Sequence, residues 1–338
     1  MTIPLQMRAV HFEDFGPPSV LKEVSEAIPI LRPNDLLVQV KAIGVNRADL
    51  NHRQGRYGKN PDFGDSHLLG LEVAGEVVRL GPDVSGFDLG DRVMGIVGGG
   101  AYAEYARIDA GMAIPVPVSM TDAEAASVTE AFVTAHQALI HLGQLSPGEK
   151  VLIHGAGGGV GLALVQLALQ SGVGMLVTTS SSGKCERLQA MGVHLAIDYN
   201  SKDFLEEVGT QVPGGAVDLI VDIVGGPYLE SNIRCLRPGG RLIQIGMQGG
   251  PKGNLPVDLL LQRRLRIEGT VMKSVSLEAK RLMTVRFRDR WLDDLRSGKL
   301  RVVIDRTFPL AQASLAHQHM EQANHFGKIV LVPSTSQT

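Results

Sequence analysis

The sequence predicts an α/β protein of two units, a doubly wound parallel sheet inserted into a β-rich domain. Three observations predict it. Short strands broken by Gly and Pro fill the first third, strands and helices alternate from Lys150, and β character returns near the C-terminus. A chain of 338 residues is too long for one ordinary core and suits two domains. Hydrophobic residues make up 44% and charged residues 20%, the balance of a globular protein.

Within residues 5–110 the strand candidates include Leu36–Ala42, Glu72–Val78 and Asp91–Gly95, separated by Gly-Pro and Gly-Gly-Gly punctuation. Thr121 and Asp122 then start a helical, Ala-rich stretch from Ala123 to Leu142. The alternating segment offers six strands, Val151–His154, Met175–Thr179, Leu195–Asp198, Val217–Ile223, Arg241–Ile245 and Leu265–Val271, with room for a helix between each pair. The tail gives a strand at Arg301–Phe308, a short helix from Leu310 to about Ala323 and a last strand at Lys328–Val332. A terminal strand of this kind completes a sheet begun elsewhere. The expected domains are therefore 1–125 together with 305–338, and 126–304.

A net charge of −2 gives no general attraction to nucleic acid or to an anionic membrane. The start, Met1 to Arg8, lacks the pattern of a signal peptide. The most membrane-like stretch, Val160–Val177, carries Gln166, Gln170 and Ser171, and reads as a buried helix followed by a strand. Two cysteines, Cys185 and Cys235, supply neither a disulfide framework nor a Cys-rich zinc site. A cytoplasmic protein is expected.

The strongest motif is Val151-Leu152-Ile153-His154-Gly155-Ala156-Gly157-Gly158-Gly159-Val160-Gly161. An apolar strand runs into glycines and then into a helix opened by Gly159 and Val160, with Val160, Ala163, Leu164, Leu167 and Ala168 on one face. Read as A-x-G-x-x-G, Ala156 makes the tight turn, Gly158 admits a pyrophosphate to the backbone, and Gly161 lets the helix pack on the strand. The helix N-terminus then offers free N–H groups to the phosphates. Inside a complete βαβ pattern this is a Rossmann-type dinucleotide site.

The second strand selects the dinucleotide. NAD-binding folds place Asp or Glu at its end to hold the ribose 2′-OH. Here the strand ends in Ser180-Ser181-Ser182-Gly183-Lys184, with no acid before Glu186. Hydroxyls and an ammonium suit a 2′-phosphate, so NADPH is the expected cofactor. Gly225, Gly246 and Met247 end later strands at the C-terminal edge, where ligands bind, and are expected to give the nicotinamide half room. The role of Asp222 stays open.

Several segments carry a family resemblance: Gly44-Val45-Asn46-Arg47-Ala48-Asp49-Leu50, Leu69-Gly70-Leu71-Glu72-Val73-Ala74-Gly75, Gly90-Asp91-Arg92-Val93 and the glycine motif. Along almost its whole length the chain resembles the medium-chain dehydrogenase/reductases. Within them it resembles the zinc-independent, zeta-crystallin-like quinone oxidoreductases. Arg53-Gln54-Gly55-Arg56-Tyr57 and Gly327-Lys328-Ile329-Val330-Leu331 look closest to the tumour-suppressor-induced members. The resemblance implies a GroES-like fold for the β-rich domain. The catalytic-zinc positions of the alcohol dehydrogenases fall on Asn46, Leu71 and Glu130. Leu cannot ligate a metal and Asn is a poor zinc ligand, so no metal site is expected. Asp49 and Glu130 have no imidazole or thiolate beside them, and His317 and His319, two apart on a helix, point to different sides.

The resemblance also implies site positions. Thr134 matches a threonine near the nicotinamide; Ser181, Lys184 and Tyr199 match the 2′-phosphate and adenine side; His325 and Lys328 match a C-terminal cofactor contact. Without a metal, the reaction reduces to placing the nicotinamide against an electron-poor acceptor, a quinone or a related small electrophile. The working hypothesis is that Asn46 and Tyr57 line the cleft and hydrogen-bond a substrate carbonyl as charge develops, with Tyr57 a candidate proton donor. The bland alternative makes Asn46 a turn residue and Tyr57 a loop aromatic. Rival functions are reduction of α,β-unsaturated ketones or aldehydes, and an NADPH-binding sensor, RNA-binding or structural protein. Relatives form homodimers through the cofactor domain, and an edge strand at Leu265–Val271 is the expected contact.

Overall fold

The computed structural model describes residues 3–57 and 66–334. Along the chain the strands and helices run β1 (Gln6–His11), β2 (Lys22–Ala27), β3 (Asp35–Val45), α1 (Arg47–Arg53), β4 (Glu72–Leu80), β5 (Arg92–Ile96), β6 (Tyr105–Asp109), β7 (Ala113–Pro115), α2 (Asp122–Ala125) and α3 (Thr129–His136). The alternating segment follows: β8 (Lys150–His154), α4 (Gly159–Gln170), β9 (Met175–Ser180), α5 (Ser182–Ala190), β10 (Leu195–Asp198), α6 (Phe204–Gln211), β11 (Val217–Asp222), α7 (Leu229–Cys235), β12 (Leu236–Gln244), α8 (Val257–Gln262) and β13 (Arg266–Gly269). The chain closes with α9 (Leu277–Arg296), β14 (Ile304–Pro309), α10 (Ala313–Glu321) and β15 (Lys328–Val332).

The chain divides into two compact units, Met1–Val133 with Lys273–Thr338, and Thr134–Met272. In the second unit six parallel strands lie in the order β10-β9-β8-β11-β12-β13. This is the doubly wound order, with the chain reversing direction between β8 and β11. Both faces of the sheet are covered, so β8 and β11 read as near-continuous apolar runs. Leu152, Val177, Ile220 and Leu242 are fully buried between the layers with Val208 and Ile233 from the helices.

In the first unit β14-β15-β3-β4-β5-β7 form one sheet, with β6 also paired to β3. The terminal β15 pairs antiparallel with β3, Ile329 opposite Val45, so the tail completes the sheet that the N-terminal segment begins. This is the GroES-like, discontinuous β domain expected. Val38, Ile43, Val73, Ile108, Ile329 and Leu331 form its core.

Two boundaries differ from expectation. The helix expected over Ala123–Leu142 breaks after Ala125, where the Ser127 hydroxyl donates to the Ala123 carbonyl, and resumes at Thr129. Residues 126–133 and 273–304, expected with the dinucleotide unit, sit in the β-rich one. The reason is α9: Arg281 clamps Asp109 through two bonds of 2.8 and 2.6 Å, and the buried Phe287 ring lies 6.2 Å from that of Phe132. No helix among the described residues is long and apolar enough to cross a membrane.

Candidate active site

The glycine turn is built for close backbone approach. Gly155 takes φ +67°, the left-handed conformation that the turn before Ala156 requires. A Cβ added at Gly161 would lie 2.4 Å from the Gly155 carbonyl oxygen and 2.6 Å from Ala156 Cα, which is how tightly α4 packs on the turn. At Gly158, the N-cap of α4, the nearest atom to an added Cβ is 3.9 Å away. The backbone there is open, no side chain caps the helix, and the first intrahelical bond is Leu162 N–H to Gly158 O. The amides of Gly159, Val160 and Gly161 precede it. This bare helix N-terminus beside an open glycine fits a dinucleotide pyrophosphate.

Around that turn lie the residues expected to select the dinucleotide. Ser181 is the N-cap of α5 and makes no capping bond with its side chain. A Cβ added at Gly157 would meet Lys184 Cδ at 2.6 Å, so the lysine stem runs along the glycine turn. Tyr199 is half exposed and its amide bonds the Ser180 carbonyl at 3.1 Å, which brings it to the end of β9. Thr134 is half-buried on α3. Gly225 takes φ +86°, a Cβ at Gly246 would lie 2.8 Å from the Ile223 carbonyl oxygen, and Met247 is exposed.

Asp222 acquires a role. Its carboxylate accepts from Val224 N at 2.5 Å, Gly225 N at 3.2 Å and Asn232 Nδ2 at 2.9 Å, fixing the turn after β11. Asn232 continues to His154 Nε2 at 2.8 Å, and His154 Nδ1 meets Thr179 Oγ1 at 2.9 Å. Burial holds the His154 imidazole below its ordinary pKa, against the pull of Asp222. This buried network is not evident from the sequence. Its trace was a His and an Asp at the ends of otherwise apolar strands.

The β-rich unit holds a second cluster. Antiparallel pairing of β15 with β3 and of β3 with β4 brings the start of β15, the end of β3 and the start of β4 together. Lys328, Asn46 and Glu72 meet there. Lys328 Nζ donates to Glu72 Oε1 at 2.6 Å, to Asn46 Oδ1 at 2.7 Å and to Val45 O at 3.1 Å. Asn46 Nδ2 donates to Glu72 Oε1 at 3.0 Å and to Gly44 O at 3.2 Å. Glu72 Oε2 accepts from Glu130 N at 2.8 Å and Thr129 Oγ1 at 3.3 Å. Gly44 is needed beside it, because a Cβ there would lie 2.4 Å from Glu72 Oε1.

These contacts redraw two expectations. Asn46, aimed by the sequence reading at a substrate carbonyl, already commits its amide hydrogens to Glu72 and Gly44. It is also the N-cap of α1, so the turn role is real. Lys328, matched to a cofactor contact, is buried in the ion pair with Glu72. His325 is buried as well, its ring 6.4 Å from that of His319. Tyr57 is half-buried, with Lys273 Nζ 4.2 Å from its ring centroid. Burial first, then Glu130 and Asp49, push its phenol far above the usual value, so at neutral pH it keeps its proton.

A buried chain of polar groups leads on from the cluster. Asp49 Oδ2 accepts from Asn46 N at 2.7 Å and from the Tyr102 hydroxyl at 3.4 Å. That hydroxyl meets His317 Nε2 at 2.9 Å, and His317 Nδ1 lies 3.3 Å from Arg53 Nη1, which pairs with Glu321. Burial, with Arg53 beside it, lowers His317 to about 3, while burial raises Asp49 to about 7. As expected, His317 and His319 diverge; His319 Nε2 turns to Asp305 Oδ2 at 2.6 Å. Among the described residues no group of three or more His, Cys, Asp or Glu side chains is arranged to hold a metal ion. Of the positions matched to catalytic-zinc ligands, Leu71 lies in the core and Asn46 in the Lys328 network.

A β domain closed by the chain's own tail, a doubly wound sheet and a bare glycine turn define a dehydrogenase/reductase architecture. The comparisons agree. An alcohol dehydrogenase GroES-like domain model matches residues 32–118, and a zinc-binding dehydrogenase model matches residues 191–331. Quinone oxidoreductase of Rattus norvegicus is 30% identical over 330 residues, 96% of this chain and 98% of that protein. A phenolphthiocerol/phthiocerol polyketide synthase chain of Mycobacterium tuberculosis is 33% identical over 299 residues, 87% of this chain. The match spans 13% of the length of that synthase chain. A mycobacterial protein solved in complex with NADPH superposes with a TM-score of 0.86 at 29% identity, covering 97% of this chain and 100% of that one. The chain belongs to the quinone oxidoreductase family of the medium-chain dehydrogenase/reductases.

Proposed function

We propose that this protein is an NADPH-dependent, zinc-independent reductase of quinones. The observation that carries the reading is the turn at Gly155–Gly161, an open backbone at a bare helix N-terminus, followed by a second strand ending in Ser181 and Lys184 where an acid would repel a 2′-phosphate. Gly158, Gly159, Val160 and Gly161 would hold the pyrophosphate, Ser181, Lys184 and Tyr199 the adenosine side, and Thr134, Gly225, Gly246 and Met247 the nicotinamide half. When bound, NADPH supplies a hydride. The chain's own part is to orient the acceptor and to offer hydrogen bonds as negative charge develops on its oxygen. Tyr57, a phenol held in its neutral form, is the group we assign to that contact. Asn46 supports it from within, by fixing the entry to α1 and the Lys328–Glu72 pair.

The similarity to the quinone oxidoreductases, along nearly the full length of both chains, supports the acceptor class. The finer placement beside the tumour-suppressor-induced members rests on Arg53–Tyr57 and Gly327–Leu331. We also infer a homodimer through β13, at the edge of the six-stranded sheet, where Ile267, Val271, Leu261 and Val257 leave apolar surface exposed.

The test is NADPH oxidation in metal-chelated buffer with 1,4-benzoquinone, 9,10-phenanthrenequinone and a simple enone in parallel, and NADH as the control. Quinone-dependent oxidation that prefers NADPH and ignores the chelator supports the reading. Enone turnover alone moves the protein to the double-bond reductases, and no turnover with any acceptor overturns it. Tyr57→Phe is expected to lower kcat/KM for a good quinone by about tenfold. Unchanged turnover in that variant would remove Tyr57 from the contact.

A further inference from the structure

His154 is the last residue of β8, directly before Gly155 and opposite Thr179 of β9. Its side chain is fully buried, as are those of Thr179, Asp222 and Asn232. Val151, Leu152 and Ile153 precede it, and an apolar side chain at 154 would simply continue that run. A buried polar set is tolerable only while every bond within it is made. Such a set specifies one geometry where apolar packing tolerates several.

The bonds run in a single direction. Asn232 Nδ2 donates to Asp222 Oδ2 at 2.9 Å, so its Oδ1 faces His154 as an acceptor. Burial keeps the imidazole neutral, with one N–H. That hydrogen therefore sits on Nε2, 2.8 Å from Asn232 Oδ1, and Nδ1 accepts from the Thr179 hydroxyl at 2.9 Å. The rings of Phe204 and Tyr228, each centred 4.8 Å from that of His154, hold it in this orientation.

The two ends of the network grip the two turns of the candidate cofactor site. The Thr179 carbonyl accepts from Gly155 N at 3.1 Å and from Ala156 N at 3.2 Å, which holds the glycine turn. Asp222 holds the other turn through the amides of Val224 and Gly225. Its carbonyl oxygen also accepts from Ile245 N at 2.9 Å and from Gln244 Nε2 at 3.0 Å, and Gln244 Nε2 reaches the Gly246 carbonyl at 2.6 Å. Ile223 packs between the turns: a Cβ at Gly155 would lie 2.8 Å from its Cγ1, and one at Gly246 2.8 Å from its carbonyl oxygen.

We propose that His154, acting through Asn232 and Asp222, is a positioning residue for the nicotinamide half of the dinucleotide. It sets the Gly225 turn and the Gly246 strand end against the glycine turn, and so fixes the angle at which the ring is presented. Affinity for the adenosine half does not depend on it. This inference rests on the NADPH reading above.

His154→Phe fills the space of the ring and removes both of its bonds. The full-length variant is expected to bind adenosine 2′,5′-bisphosphate within about twofold of wild type and to lower kcat with 9,10-phenanthrenequinone by about tenfold, the effect of a misplaced reacting ring. Circular dichroism of the bound nicotinamide, read at saturating NADPH without any acceptor, should fall by about half or more as the ring loses its fixed orientation. His154→Gln keeps one donor and one acceptor, and should restore the dichroism and bring kcat to within about threefold of wild type. Should His154→Phe fail to fold, Thr179→Val deletes only the hydroxyl at the far end of the network. It is expected to give the same pattern at smaller size, about threefold in kcat, the worth of one hydrogen bond. A His154→Phe protein with wild-type dichroism and kcat overturns the proposal. So does one that binds the bisphosphate and NADPH equally weakly, because the network would then support the whole site without distinguishing its halves. A wild type that binds neither ligand overturns the NADPH reading, and this positioning role with it.

Discussion

Lys328 Nζ lies 2.6 Å from Glu72 Oε1, and the two side chains are 5% and 0% exposed. The pair joins the last strand of the chain to β4 across the end of β3, so it closes the β-rich unit at the point where Asn46 turns into α1. Removing one partner leaves the other charge buried and uncompensated. Lys328→Met is therefore expected to lose about 3–5 kcal/mol by urea denaturation. Combining it with Glu72→Gln should return part of that loss, because the stranded carboxylate is gone. A Lys328→Met protein within about 1 kcal/mol of wild type would show that the pair does not offset its own desolvation.

Asp49 makes stability depend on pH in an unusual direction. Its carboxyl is raised to about 7 in the folded protein, mainly by burial, against a value near 4 in the unfolded chain. Between those values the folded state holds the proton and the unfolded state does not. The contribution is thus complete below about pH 4 and disappears as pH climbs through about 7. Asp49→Asn keeps an acceptor for the Asn46 amide and the Tyr102 hydroxyl and cannot ionise. Its stability relative to wild type should rise steadily over that window, measured as the difference in urea midpoints. A constant difference would mean that Asp49 is ionised in the fold throughout.

The parallel sheet was legible because its central strands β8 and β11 are buried on both faces and read as apolar runs; Leu195–Asp198 appears at its expected limits. The returning C-terminal strand was legible too, as Ile329–Val332 is an unbroken apolar run. The break at Ala126–Val128 was not, since alanines and valines carry no stop signal and the helix ends on a side-chain bond from Ser127. Lys328 and Asn46 were singled out separately, as a cofactor contact and a substrate contact, and the structure joins them in one hydrogen-bond network. Their partner Glu72 was not singled out, because nothing in Gly70-Leu71-Glu72 says that three strands converge on it. Sequence spacing reports periodicity within an element and is silent on which distant ends meet.

Cofactor choice should rest on few atoms. Lys184 runs along the glycine turn and Ser181 opens α5 without a capping bond of its own. Lys184→Ala is expected to weaken NADPH binding by about tenfold while leaving NADH binding within about twofold, the worth of one charge-assisted contact to the 2′-phosphate. Fluorescence titrations with both dinucleotides check it. Equal losses for the two would place the lysine on a phosphate that they share.

The edge of the six-stranded sheet offers a test of assembly. Lysine on an edge strand blocks pairing with another chain. Ile267→Lys on β13 is expected to convert a dimer to a monomer in sedimentation velocity without lowering the thermal midpoint of the monomeric fold. Wild-type protein that sediments as a monomer over a wide concentration range would remove β13 as the dimer contact.

The two glycines of the turn make opposite predictions, although they stand three residues apart. Gly158 has φ −88° and ψ 173°, which any residue adopts, and 3.9 Å of clearance for a Cβ. Gly158→Ala should therefore fold with a stability within about 0.5 kcal/mol of wild type. Its methyl group would stand over the bare helix N-terminus, where the pyrophosphate is expected, so NADPH binding should weaken by about tenfold or more. Gly161 has no such room. A Cβ there meets backbone atoms of Gly155 and Ala156 at 2.4 and 2.6 Å, and neither can move without shifting α4 off the sheet. Gly161→Ala is expected to cost about 1–3 kcal/mol of stability, the usual cost of overpacking. Chemical denaturation and NADPH titration on both variants separate the effects. If Gly158→Ala bound NADPH as tightly as wild type, the turn would be a structural feature, and the dinucleotide would have to be held elsewhere.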